Sequence, residues 1–225
     1  DNASVRGSVN GRVSAYAAGG DAKAAVQSQI FCTGGSNDGS CEASGIERIE
    51  SMTINGPSIE TSGVDVFADY RMELGAGFAT FGLDVSHTMK YEQDAYYKSG
   101  VLVGTSYDAA GYLNASRTAR PLPDLKGRVF GEYSLDQHNF LVYVNHITSY
   151  EDERYEGTKV DSQTTYDLHY QYSFMDDQAR VTVSAMNVTD EDPPLARLDL
   201  SYDGYTHNAF GRMIKVGIEY TIGEG

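Results

Sequence analysis

The sequence predicts an all-β chain, an antiparallel transmembrane β-barrel, and three observations carry that expectation. Side-chain character alternates residue by residue over long stretches, the connections alternate short and long, and no run of about 18 apolar residues is present to form a membrane-spanning helix. The clearest alternation is TTYDLHYQYSF at 164–174. Thr164, Tyr166, Leu168, Tyr170, Tyr172 and Phe174 share one parity, and Thr165, Asp167, His169, Gln171 and Ser173 share the other. Successive side chains of a strand point to opposite faces, so this segment has one apolar face and one wet face.

The elements follow in chain order. Residues 1–44 read as a loop segment with a candidate first strand and both cysteines, 45–222 as eight antiparallel strands with long loops, and 223–225 as a tail. Cys32 and Cys41 flank a Gly, Ser and Asn stretch with little structure of its own, which suits a disulfide formed in an oxidising compartment. A pair of metal ligands is the rival, but no His is near in sequence and the spacing is not that of a zinc site. The strands are 45–55, 58–72, 78–92, 124–135, 138–153, 164–174, 179–190 and 210–222. In the third, Ala79, Phe81, Leu83, Val85, Met89 and Tyr91 share a parity; in the last, Ile214, Val216, Ile218, Tyr220 and Ile222 oppose Lys215, Gly217, Glu219 and Thr221. Composition agrees, with 24 Gly and 17 Tyr against 5 Pro and no Trp.

After the second strand the connections are LGAG, about thirty residues, DQ, about nine, MDDQ and about twenty. A soluble sandwich has no reason to keep every short turn at one end, whereas outer-membrane barrels have short periplasmic turns and long extracellular loops. Tyr70, Tyr133, Tyr172, Phe174 and Tyr220 fall toward the short-turn or terminal ends of their strands, the expected place of a periplasmic aromatic girdle. The rival, tyrosines packed in a soluble core, would leave several hydroxyls needing buried partners. Asp65, Asp69, Arg71, Lys126, Arg128, Glu132, Asp167, His169, Lys215 and Glu219 fall on the opposite parity, where a wet lumen would solvate them. The net charge of -15 argues against nucleic acid as a partner. DNASVRGSVN lacks the basic and apolar regions of a signal peptide.

Several stretches resemble the C-terminal barrel portion of TonB-dependent outer-membrane receptors. They are FCTGGSNDGSCEASGIERIE followed by INGPSIETSGVDVFADY, YDAAGYLNASRTARPLPDLKGRVFGEY, SAMNVTDEDPP, and YDGYTHNAFGRMIKVGIEYTI, together spanning residues 30–222. In that family they correspond to a cysteine-bearing loop with the strand pair after it, a returning extracellular loop, an Asn and Asp motif before Pro-Pro, and the closing strand. The resemblance implies about 22 strands around an N-terminal plug. Because this chain has eight strand candidates and no plug sequence, the remaining strands and plug are expected from the same protein or a second chain.

The resemblance further implies a bacterial outer-membrane location and active import of a scarce solute such as a siderophore, vitamin, sugar or peptide. Expected partners are the lipid bilayer, lipopolysaccharide, TonB through the N-terminal part, and the barrel-assembly machinery, with no cofactor. Lys215, Gly217, Tyr220 and Ile222 resemble the terminal signature that this machinery reads, although Ile222 stands where family members commonly carry Phe. The alternative is a small self-contained barrel acting as a passive pore or adhesin.

The acidic groups Glu151, Asp152, Glu153 and Glu156, and Asp190, Glu191 and Asp192, read as solvated loop charge or as contacts for a cationic ligand or bridging divalent ions. YDGYTHN lacks the ligand series of a calcium loop. No G-x-S-x-G, H-E-x-x-H or P-loop is present, and His146 with Asn145 and Ser149 is the nearest approach to a catalytic group. The expectation is a chain that is not an enzyme.

Overall fold

A computed structural model describes residues 9–50, 56–98, 101–176 and 178–221. The chain divides into two compact units, one of residues 1–60 with 92–108 and one of 61–91 with 109–225. The second is built on a single antiparallel sheet. Its seven long strands are β1 (Ile59–Leu74), β2 (Gly77–Gln93), β3 (Leu125–Leu135), β4 (His138–Ile147), β5 (Gln163–Phe174), β6 (Ala179–Met186) and β7 (Met213–Tyr220), and they lie side by side in chain order.

An up-and-down order puts successive turns at alternate ends of the sheet. The turns at 75–76 and 136–137 and the one after Phe174 therefore close one end, while the connections from β2 to β3, from β4 to β5 and from β6 to β7 leave the sheet at the other. The tight turns follow from local chemistry. Met175 and Asp176 both take positive φ (58° and 51°), the backbone that matches the right-handed twist of flanking strands.

Register fixes the faces. Phe78, Ser134, Asn139, Gln171, Thr182 and Gly217 form one cross-strand row. The adjacent row, on the opposite face, is Ala79, Tyr133, Phe140, Tyr170, Val183 and Val216. The alternation expected from the sequence is thus carried in phase across six strands. Phe78 and Asn139 sit next to the short-turn ends of β2 and β4, whereas Gln171 and Gly217 lie further from those of β5 and β7. The offset enters in one step between β4 and β5, where His138 pairs with Tyr172, two residues short of the end of β5 at Phe174.

The sheet is open. Among the described residues no strand pairs the outer edge of β1 or of β7, so the eight-strand closed barrel weighed from the sequence is not formed. Gly82 is required by packing rather than by a turn: a Cβ there would collide with the ring of its cross-strand partner Phe130 and with the Ala68 carbonyl.

The first unit departs from expectation in two ways. Residues 1–44 were expected to be loop with one strand, but α1 (Val9–Ala18) and α2 (Gly20–Gln27) occupy much of the segment. Their sequences, VNGRVSAYAA and GDAKAAVQ, are rich in alanine, the strongest helix former, and lack period-2 alternation. The strand expected at 45–55 does not join the large sheet either. Ile46–Ile49 pairs with Ile30–Cys32 in its own two-stranded sheet, and 51–55 lie outside the described residues. The Cys32–Cys41 disulfide is formed and ties this pair to its connecting loop. The Tyr16 hydroxyl of α1 donates to the Cys41 carbonyl at 3.0 Å. No helix among the described residues is long and apolar enough to cross a membrane, which says nothing of strands.

Candidate functional site: two faces and a knitted loop layer

The two faces of the sheet differ in chemistry and in packing. Side chains of the polar parity tie neighbouring strands together. Arg128 pairs with Asp84 at 3.3 Å and Arg180 with Glu219 at 3.5 Å, each directly across the ladder. Asn145 donates to Asp167 at 2.9 Å, and Asn139 to Glu132 at 2.6 Å. Individually such solvated pairs contribute little, but together they satisfy a face that cannot be greasy.

The apolar face has no cover among the described residues. Phe81, Met89, Val129, Phe140, Leu168, Ile214, Val216 and Ile218 are all exposed, Ile218 at 77%. Single exposed hydrophobics are ordinary, whereas a contiguous apolar surface running across strands marks an interface.

Along the short-turn rim this face becomes aromatic. Phe140 and Tyr170 lie 4.9 Å apart between ring centroids, His138 and Tyr172 5.0 Å, and Tyr172 and Phe174 5.9 Å. Tyr133, Tyr172, Phe174 and Tyr220 all share the apolar face, and Tyr70 shares the parity of Val64 and Val66 on β1. The sequence reading put Tyr170 on this face without counting it in the girdle and did not single out Phe140 or His138, whose Nδ1 lies 2.7 Å from the Tyr170 hydroxyl. Their signal was adjacency in register, which no single strand displays. Lys215 and Gly217 lie on the polar face of β7 and Tyr220 on the apolar one; Ile222 lies outside the described residues.

The second unit's buried hydrophobic cluster lies in its loops, not under its sheet. Leu113, Tyr150, Val160 and Ala196 form it, with Leu198 packed alongside. Backbone bonds knit two of the long connections, and side-chain bonds from Tyr150 and Arg154 tie in the third. Leu113 N–H donates to the Glu151 carbonyl and Glu151 N–H to the Gly111 carbonyl, both at 2.8 Å, while Tyr150–Glu151 pairs with Lys159–Val160.

A buried polar network crosses this layer. The Tyr150 hydroxyl donates to Asp203 Oδ2 at 2.8 Å, and His207 Nε2 lies 3.1 Å from the same hydroxyl. His207 Nδ1 meets Gln163 Oε1 at 2.8 Å, and the Gln163 amide donates to the Asp192 carbonyl at 3.2 Å. Since Gln163 Oε1 can only accept, the imidazole proton resides on Nδ1. Burial, reinforced by the Asp203 carboxylate, pushes the Tyr150 hydroxyl far above the usual phenol range. Burial holds His207 below its ordinary value; Lys126 acts in the same sense and Asp203 opposes it. Sequence reasoning missed Tyr150, Asp203 and His207 as a group, and the only local signal was the Asp-Gly turn among aromatics in YDGYTHN.

Asp152, Glu153 and Asp190 are spent on structure, while Glu151, Glu156, Glu191 and Asp192 are exposed. Buried Asp152 takes two hydrogen bonds at 2.9 Å from the Arg154 guanidinium, which holds its carboxyl below the usual range. Glu153 is pushed up by burial, but the N–H and hydroxyl of Ser116 outweigh this and leave it below its ordinary value. Asp190 accepts from Arg212 N–H at 2.7 Å. Among the described residues no group of three or more His, Cys, Asp or Glu is placed to hold a metal ion. His146 and Asn145 point to opposite faces, His146 toward Thr164 at 2.8 Å and Asn145 toward Asp167, so they do not converge.

Several cavities open in this unit, and two of them bear on the site. One of about 250 Å³ lies against the polar face, lined by Gln163, Thr165, Asp167, Asn187, Thr206 and Asn208 among others. The larger, about 570 Å³, is in the loop layer and is lined by Arg154, Arg197, Asp199, Leu200, Tyr202 and Tyr205 among others. Comparison with protein-family models, curated proteins and solved structures finds no match for this chain.

Proposed function

We infer that the chain is the C-terminal part of the barrel of an outer-membrane active transporter of the TonB-dependent kind. It supplies wall and extracellular loops for import of a scarce solute and carries no catalytic residue of its own. The observation that carries this reading is the exposed apolar face spanning the sheet, with aromatic rings along the short-turn rim and polar side chains opposite. Hydrocarbon is the medium that solvates such a face, and headgroups suit the rings at its edge. The consistent placing of long, knitted loops at one end supports the same orientation.

The open edges favour membership of a larger barrel over a small self-contained pore or adhesin. Unpaired N–H and C=O groups in lipid cost several kcal/mol each, so β1 and β7 require neighbouring strands there. Those strands, the plug and the TonB-contacting part come from the rest of the receptor.

The test is fractionation followed by uptake. The protein should sediment with outer membranes, need detergent for extraction and co-purify with the remaining strands, and solute uptake should stop when TonB is deleted. A chain that folds as a monomer in plain buffer would refute the membrane assignment. Uptake indifferent to TonB would refute active transport alone.

A further inference from the structure

We propose that the loop-layer cleft beside Tyr155 binds an aromatic carboxylate, with Arg197 as the residue that takes the carboxylate group. This deepens the transporter reading by naming a substrate class, and it rests on that reading.

The chain is strongly acidic, yet arginines gather here and are posed by tyrosines. The Arg197 guanidinium lies 4.7 Å from the Tyr155 ring centroid and that of Arg154 5.4 Å from the same ring. Arg120 lies 4.8 Å over Tyr205, a ring that lines the cleft. The two arginines at Tyr155 are not equivalent. Arg154 is neutralised by Asp152, which is only 3% exposed, and uses another N–H to hold the Arg197 backbone carbonyl at 2.7 Å. A buried carboxylate thus positions Arg197 through Arg154. Among the described residues the Arg197 guanidinium makes no hydrogen bond or ion pair with a carboxylate or carbonyl, although its charge also acts on Asp152. Stacking fixes the plane of a guanidinium and leaves its N–H edge free, the arrangement that grips a planar carboxylate with two parallel bonds.

The remaining wall specifies the body of the ligand. Tyr202, Tyr205 and Leu200 offer ring faces and aliphatic surface, and Leu200 and Tyr205 are 66% and 70% exposed, so apolar area awaits cover. At about 570 Å³ the cleft has the size of a small-molecule site. Asp199 on the same wall disfavours a dianion, which selects a carboxylate over a phosphate monoester.

The experiment is equilibrium titration of the detergent-extracted receptor with 2-naphthoate, 2-naphthamide and 2-naphthyl phosphate, followed by probe fluorescence. Naphthoate should bind saturably, and the amide should bind about ten- to a hundredfold more weakly. Arg197→Gln should weaken naphthoate to the level of the amide and leave the amide unchanged, with Arg197→Lys between because it keeps charge but not the fork. Equal binding of acid and amide, tighter binding of the phosphate, no saturation, or an unaltered Arg197→Gln titration would each overturn the assignment. No transport step enters the measurement. Failure here therefore leaves the membrane reading standing, and a chain found soluble in buffer would sink that reading while the same titration still reports on the cleft.

Discussion

Leu113 and Ile218 belong to the same unit and have similar aliphatic side chains, yet Leu113 is fully buried in the loops while Ile218 is 77% exposed on the sheet. In most water-soluble proteins the sheet holds the core and the loops are its wet margin. Here the loops bury apolar residues against one another, and the sheet presents its apolar side outward. On the transporter reading proposed above, the difference reflects two solvents. The loop layer must organise itself against water, so it builds a small core and a hydrogen-bonded network. The sheet face needs no protein cover if lipid supplies it.

The sharpest way to break this comparison is to charge the outward face. Leu168→Arg should cost about 2 to 4 kcal/mol of stability in bilayers if it sits near the midplane, whereas Gln171→Arg on the polar face should cost little. Folding yield into lipid vesicles reads both, and equal tolerance would mean that hydrocarbon does not solvate that face.

The disulfide offers a contrast outside both regions. Replacing Cys32 and Cys41 with Ser should destabilise the first unit by about 2 to 3 kcal/mol, from the entropy of the loop the bridge closes. Hydrogen exchange should show the loss confined to that unit, with the sheet's protection unaltered.

A smaller effect is expected within the loop layer. Tyr150→Phe removes the donor to Asp203 Oδ2 and leaves, among the described residues, only the Tyr205 N–H at Oδ1, at about 1 to 2 kcal/mol. Limited proteolysis should then cut 148–162 and 187–212 faster while the strands stay protected. Accelerated cleavage of the strands as well would mean that sheet and loops unfold together.

The smallest effect is one of pH. His207 is held below its ordinary value, so the unfolded loop layer binds more protons than the folded one once pH drops below about 6.5. The stability that the neutral imidazole contributes is present above that pH and is lost as pH falls toward the lowered value. Loop protection measured by hydrogen exchange should decline between about pH 7 and 5, and His207→Gln should flatten that decline. Asp152 and Glu153, both held below their ordinary values, would add their own loss only in more acid solution, below about pH 4.

Particular residues mark how far the sequence could be read. Leu168 and Gln171 could be assigned to faces from eleven residues of text, because the side-chain period of a strand is a local property. The turn at 136–137 was equally visible, being short, polar and flanked by alternating segments. The strand at 46–49 was visible as a strand but not as a member of the wrong sheet, since partner choice depends on where the disulfide loop returns the chain. Residues 9–27 carried helix-forming alanines, yet the reading of the whole chain as strand and loop passed over them.

Alone, the amino-acid order determined the alternating faces, the sequence of short and long connections and the proximity of the two cysteines, because each is set by neighbours a few residues apart. Tertiary structure decided what distance along the chain conceals. Tyr150 reaches Asp203 across 53 residues, rings of separate strands line up along one rim, and Arg197 is poised over Tyr155 by a carboxylate on another loop. Such contacts are chosen by which loops pack together and in what register, and no local pattern encodes that choice.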